Sequence, residues 1–164
     1  MIVIGYQGIG KSTFCQNSNS FRYIDLESRN TKVRGIRYEC WADVYANFAL
    51  DLSSQGYTVF VSSHKQLQDI LSKTETEEYI ISVFPAKELK QEWLDRLEKR
   101  WEDTRLDKDY VAWKDAVKNF DDEIDILMSN EKIKPYPITD MNYSLYKITN
   151  DAERDIYGRE KCKA

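Results

Sequence analysis

Residues 5–12 read Gly5-Tyr6-Gln7-Gly8-Ile9-Gly10-Lys11-Ser12, two glycines flanking four residues and followed by Lys and Ser, which is the spacing of a phosphate-binding loop. Met1-Ile2-Val3-Ile4 before it is a short apolar run of the kind a buried parallel strand shows, and Thr13-Phe14-Cys15-Gln16 behind it continues as the first turns of a helix. Strand, loop and helix are the context the pattern requires. The glycines let backbone N–H groups wrap around an anion, and the helix start near Lys11 adds its partial positive charge. Lys11 supplies a mobile cation to span β- and γ-phosphates, and the Ser12 hydroxyl is the expected ligand of a Mg²⁺ bridging the same groups. The predicted nucleotide contacts are therefore Gly5, Tyr6, Gln7, Gly8, Ile9, Gly10, Lys11, Ser12 and Thr13, with ATP and Mg²⁺ as the ligands.

The 164 residues fit a single domain spanning 1–164. Lys plus Arg total 24 against 28 Asp plus Glu, a net charge of −4, which argues against an extended nucleic-acid surface but leaves room for a local basic pocket. No run approaches the length of a membrane span, and the N-terminus reads as the first strand rather than a signal peptide, so a cytoplasmic protein without a membrane partner is expected. Cys15, Cys40 and Cys162 are odd in number and widely spaced. They read as incidental thiols rather than a disulfide or zinc framework.

Working outward from the loop, 21–26 (FRYIDL) reads as a second strand ending at an acid, and 28–36 (SRNTKVRGI) as a polar, basic surface loop. Trp41, Val44, Tyr45, Phe48, Ala49 and Leu52 form one helical stripe, and 57–61 (YTVFV) is a β-branched third strand running into Ser62-Ser63-His64-Lys65. A brief helix over 66–72 leads to a fourth strand at 79–84, after which Pro85 suits the first turn of a helix carried on by Leu89, Trp93, Leu94, Leu97 and Trp101. A polar break over 102–107 separates it from a helix whose inner face is marked by Val111, Ala112, Ala116, Phe120, Ile124, Leu127 and Met128. Residues 135–139 read as an edge strand, where proline is tolerated, and a last helix begins near Asn142. Alternating strands and helices predict a parallel five-stranded sheet covered on both faces, with ligands at its carboxyl edge.

Asp25 ends a strand at that edge, placed to hold an acceptor hydroxyl or metal-bound water; a turn carboxylate is the plainer reading. Arg96 and Arg100, four apart, and Arg105 just after them are placed to neutralise a transferred phosphoryl group, or else form a solvated helix face with Glu92, Asp95 and Glu98. His64, the one histidine, reads equally as a phosphate contact or a packing residue. Arg29, Lys32, Arg34 and Arg37 make the 28–37 loop basic, which suits an acceptor carrying its own phosphate or ordinary loop charge. Ser62 and Ser63 stand where a water-activating ATPase would place an acid.

With GYQGIGKST, IDLES, VFVSSHKQLQDIL and LKQEWLDRLEKRW, the chain resembles small P-loop kinases of the nucleoside monophosphate kinase and gluconate kinase type, in particular the compact nucleotide-kinase-like proteins of bacteriophages and their bacterial hosts. The resemblance implies a three-layer P-loop NTPase fold and transfer of the γ-phosphoryl group of ATP-Mg to a small acceptor, a nucleotide or nucleoside. It places acceptor binding at Asp25 and lid arginines at Arg96 and Arg100, with a lid region near 96–108. It puts the adenine near Arg100 and residues 139–142. The 102–107 segment lacks the glycines of a long mobile lid. The alternative is a nucleotide-binding switch or host-interaction protein with little turnover, and a polynucleotide-end kinase is disfavoured by the net charge.

Overall fold

The computed structural model describes residues 1–18 and 20–161. Five strands form an all-parallel sheet in the order β2-β5-β1-β6-β7: β1 (Ile2–Gly5), β2 (Tyr23–Asp25), β5 (Thr58–Ser62), β6 (Ile80–Pro85) and β7 (Lys134–Ile138). β3 (Lys32–Val33) and β4 (Ile36–Arg37) pair separately as an antiparallel hairpin. The helices are α1 (Lys11–Asn17), α2 (Trp41–Ser54), α3 (Lys65–Lys73), α4 (Lys90–Thr104), α5 (Asp107–Ser129) and α6 (Leu145–Lys161). No described helix is long and apolar enough to cross a membrane.

Successive strand residues point to opposite sheet faces, yet every residue of β1 and β6 is buried, so both faces are covered. Register assigns the helices. Ile4 pairs with Ser82, whose hydroxyl donates to the Leu127 carbonyl at 3.2 Å, placing α5 on that face. Val3 pairs with Phe60, against which Phe14 packs edge-on at 5.3 Å, placing α1 on the other. Because β1 leads to β2 on one side while β6 flanks it on the other, the sheet reverses direction at β1, and a crevice opens beyond its carboxyl end. The 5–12 loop lies there.

Several details differ from the sequence reading. Residues 28–37 are folded, with a 3-10 turn at Ser28–Thr31 followed by the β3–β4 hairpin. Its two turn residues, Arg34 and Gly35, have φ of 51° and 79°, the left-handed pair that matches hairpin twist. On α2 the buried hydrophobic positions are Trp41, Ala42, Tyr45, Ala46 and Ala49, while Val44 and Phe48 are exposed. The alanines allow close approach to the sheet, so the inward face is rotated from the bulky stripe. Val111 and Met128 are likewise exposed on α5. Pro85 ends β6, and Ala86 donates to the Ile138 carbonyl at 2.8 Å before the chain enters α4. The 102–107 break shrinks to two residues, because α4 runs to Thr104 and α5 starts at Asp107. Cys162 lies outside the described residues.

Phe60, fully buried at the centre of β5 with Phe14 on its ring, links sheet and α1. Phe60→Ala should cost about 3–5 kcal/mol, read from denaturant unfolding; a loss under about 1 kcal/mol would mean that this contact is dispensable.

Candidate functional site

The loop between β1 and α1 is shaped by what holds its carbonyls. The Trp93 indole donates to the Gln7 carbonyl at 2.9 Å, the Tyr143 hydroxyl to the Ile9 carbonyl at 2.9 Å, and the Lys11 ammonium to the Gly5 carbonyl at 2.9 Å. Gly8 has φ +86°, and a Cβ there would come 2.8 Å from Leu97 Cδ2 and 3.3 Å from Trp93 Nε1. Trp93 and Leu97 are fully buried on α4, so neither loop nor helix has room to yield. Gly10 caps α1, whose seven residues make its dipole a minor contributor.

Beyond the loop is a chamber of about 230 Å³ bordered by Gln7, Gly8, Lys11, Ser12, Asp25 and Arg100. The Ser12 hydroxyl donates to Asp25 Oδ2 at 2.5 Å, joining α1 to the end of β2. Burial pushes the Lys11 ammonium down to about 8, against the opposing pull of Asp25 and with added repulsion from Arg100. Arg100 Nη2 lies 2.8 Å from Asp109 Oδ1, and Thr104 Oγ1 donates to Asp109 Oδ2 at 2.7 Å. The Arg100 Nε is buried with no hydrogen-bond partner. Asp109 is itself buried at 3 % exposure; a lone acid in a helical pattern gives no sign in sequence that it anchors an arginine.

Arg96 and Arg100 share a groove that borders Gly8, Gly10 and Thr13, but only Arg100 reaches the chamber with Lys11. Arg96 instead stacks its guanidinium 5.0 Å from the Trp93 ring centre and 5.6 Å from that of Tyr143. It faces a cavity of about 760 Å³ lined by Ile9, Thr13, Phe14, Met141 and Tyr143. Sequence reading counts Trp93 only among the apolar positions of its helix and gives Tyr143 no role, since a hydrogen bond from a ring to a loop carbonyl has no local signature. Tyr6 is buried against Phe120, edge-on at 5.7 Å, so its ring belongs to the core rather than to the chamber.

Ser28, Arg29 and Lys108 border both the chamber and a second cavity of about 950 Å³. His64 Nε2 meets Ser28 Oγ at 3.1 Å and its ring packs edge-on against Trp41. Burial and the nearby Arg37 lower its pKa, which favours the neutral ring. Ser62 closes β5 at the chamber wall, where the Tyr45 hydroxyl accepts its N–H at 3.1 Å and donates to the Leu26 carbonyl. Burial, with Asp25 nearby, pushes the Cys15 thiol up to about 12, which disfavours its thiolate form. Among the described residues no group of three or more His, Cys, Asp or Glu is placed to hold a metal by protein ligands alone.

No protein-family model matches the chain, and no curated protein is similar to it at a significant level.

Lys11 loses its proton near pH 8 in the folded chain and near 10.5 when unfolded. Between these values the unfolded state binds more protons, so stability rises with pH and the cost of the buried ammonium fades. Relative to Lys11→Met, the wild-type protein should therefore gain roughly 1–2 kcal/mol between about pH 8 and 9.5, measured by denaturant titration. Parallel pH curves for the two proteins would show that Lys11 is not held in this way.

Proposed function

We propose that the protein is an ATP-dependent phosphotransferase with a P-loop NTPase fold, moving the γ-phosphoryl group of ATP-Mg to a small acceptor of the nucleotide or nucleoside kind. The observation that carries this reading is the single chamber in which Lys11, the Ser12–Asp25 pair and Arg100 converge beside the GYQGIGKS loop, sharing Ser28, Arg29 and Lys108 with one larger cavity and linked to another by the groove along Gly8, Gly10, Thr13 and Arg96. A donor and an acceptor can then approach one transfer point from two separate cavities, which is the positioning that phosphoryl transfer needs.

Lys11 exchanges the Gly5 carbonyl for donor phosphate oxygens, and their charge raises its affinity for the proton. With the carbonyls of Gln7 and Ile9 held from behind, the loop presents its amides to the same oxygens. The Ser12 hydroxyl and Asp25 carboxylate are hard oxygen donors 2.5 Å apart. They fit Mg²⁺, which takes only one or two protein ligands beside phosphates and water and supplies charge neutralisation when bound. Arg100, oriented by Asp109, directs its guanidinium at the charge that develops on the group in flight. The cavity walled by Phe14, Tyr143 and Arg96 suits the donor's base and sugar, with flat surfaces for stacking. Arg96 thereby serves the donor nucleoside and Arg100 the transfer step.

The nucleotide-binding switch is favoured by one feature: Ser62 stands at the end of β5 in place of an acid that could activate water. That arrangement suppresses hydrolysis as well as it suits a kinase, and the two readings part on whether any acceptor is turned over.

Steady-state kinetics with a panel of nucleosides, nucleoside monophosphates and sugars tests the assignment. Arg100→Ala and Asp25→Asn should each lower kcat by about 10²-fold or more, whereas Arg96→Ala should chiefly raise the KM for ATP. Tight ATP binding without turnover of any acceptor would establish the switch instead.

A further inference from the structure

The alternation of β1 carries past its end: Tyr6 follows Ile4 by two residues and so points to the sheet face that α5 covers. Its ring packs edge-on against Phe120, and Glu123 lies one turn further along α5 on the same face. The Tyr6 hydroxyl thereby comes within reach of both the Glu123 carboxyl and the Gln7 carboxamide. Tyr6 Oη, Gln7 Nε2 and Glu123 Oε2 are each buried without a hydrogen bond. Adjacent polar atoms shielded from water form a cluster that a small rotation pairs in more than one way.

The cluster sits directly behind the phosphate loop. Gln7 borders the chamber that Lys11, Ser12 and Arg100 share, and its carbonyl is fixed by Trp93, so its side chain is the part that turns. Charge decides the pairing. Burial and then Asp115, two turns back on α5, raise the Glu123 carboxyl to about 7. The Tyr6 hydroxyl is pushed up by burial and by Glu123, so it keeps its proton and Glu123 is the group that titrates. Lys87 and Lys90, the cations lying against α5, pair with Asp125 and Asp121, and His64, which feels Asp115, is held low by burial and Arg37.

We propose that Glu123 is a positioning residue for the phosphate loop, acting through Tyr6 and Gln7, and that phosphate binding at the loop is linked to uptake of a proton by its carboxyl. This rests on the reading of the loop as a nucleotide site. Ionised, Glu123 accepts the Tyr6 O–H and the Tyr6 oxygen accepts Gln7 Nε2–H, which keeps that donor out of the chamber. Protonated, Glu123 donates to Asp115, the Tyr6 O–H turns to Gln7 Oε1, and Nε2–H is released toward the phosphates. The proton also removes one negative charge from behind an anionic ligand, so hydrogen bonding and charge act in the same direction.

The test is calorimetric titration with a non-hydrolysable ATP analogue and Mg²⁺ over about pH 5.5–8, on the wild type, on Glu123→Gln, whose amide mimics the protonated carboxyl, and on Tyr6→Phe. Titration of the analogue's phosphates and of Lys11 is common to all three. Wild type and Glu123→Gln should bind alike at the acid end, and the variant about fivefold or more tightly at the alkaline end. Tyr6→Phe should lose most of the wild type's excess decline over Glu123→Gln. Folding gives a readout without nucleotide. The carboxyl binds its proton more tightly folded than unfolded, at about 7 against 4.5, so stability falls as pH rises through that window. The midpoint of Glu123→Gln in denaturant should therefore gain on that of the wild type between about pH 4 and 8. Parallel pH profiles of wild type and Glu123→Gln, in binding or in unfolding, would overturn the proposal and leave the donor site standing. A decline lost in Glu123→Gln but intact in Tyr6→Phe would overturn the positioning role, because the charge then acts through space. No binding of the analogue to the wild type at any pH would overturn both readings.

Discussion

A glycine loop can present its N–H groups to a ligand only if its carbonyls are satisfied elsewhere, and in this protein that requirement organises the surrounding structure. The Gln7, Ile9 and Gly5 carbonyls are taken by Trp93, Tyr143 and Lys11, donors that come from α4, from the segment between β7 and α6, and from α1. For Trp93 to reach Gln7, α4 must press against the loop closely enough that no side chain fits at residue 8. Once α4 is so placed, Arg96 and Arg100 fall on successive turns beside Gly8 and Gly10. Tyr143 in turn fixes the chain leaving the edge strand β7, which walls the aromatic cavity. The same contacts that shape the loop therefore also define the spaces on either side of it.

Electrostatics follow from that packing. An overall acidic chain concentrates cations around one cavity and one chamber, and most carboxylates of the chamber are committed: Asp25 to Ser12, Glu27 to Arg29, Asp109 to Arg100 and Thr104. Desolvation costs the Lys11 ammonium part of its stability, a cost that anionic ligands relieve. Charge that is expensive without a ligand and favourable with one is what a binding site stores, at the expense of stability in the free protein. The connection between α4 and α5 is only two residues long, with Arg105 in a left-handed conformation at φ 54°. Any closure over the site thus moves a helical hairpin rather than a loose loop.

Much of this was legible in the chain because it rests on local rules. The apolar strands and the proline-bearing edge strand followed from period and turn signals, the parallel sheet from the alternation of strands with helices, and Asp25 was readable as an acid closing a strand at the carboxyl edge. The β3–β4 hairpin was missed because four basic residues in ten masked a two-residue Arg-Gly turn. The α2 stripe was misphased because small alanines, not bulky side chains, set how closely a helix approaches a sheet. Asp109, Trp93 and Tyr143 could not be found from sequence. Trp93 and Tyr143 act on carbonyls 86 and 134 residues away along the chain, and nothing local distinguishes such aromatics from core. The split between Arg96 and Arg100 is likewise a matter of which turn of α4 faces which cavity.

The central claim is that the GYQGIGKS loop is a nucleotide phosphate site with Lys11 as its mobile cation. Titration calorimetry of the wild-type protein and Lys11→Ala with a non-hydrolysable ATP analogue and Mg²⁺ tests it most directly, provided both proteins melt alike. The account predicts saturable binding to the wild type, a loss of affinity of about 10²-fold or more in the variant from removal of a charge-assisted contact, and proton uptake on wild-type binding near pH 8 as Lys11 recharges. Equal affinity in the two proteins, or no binding to either, would contradict it.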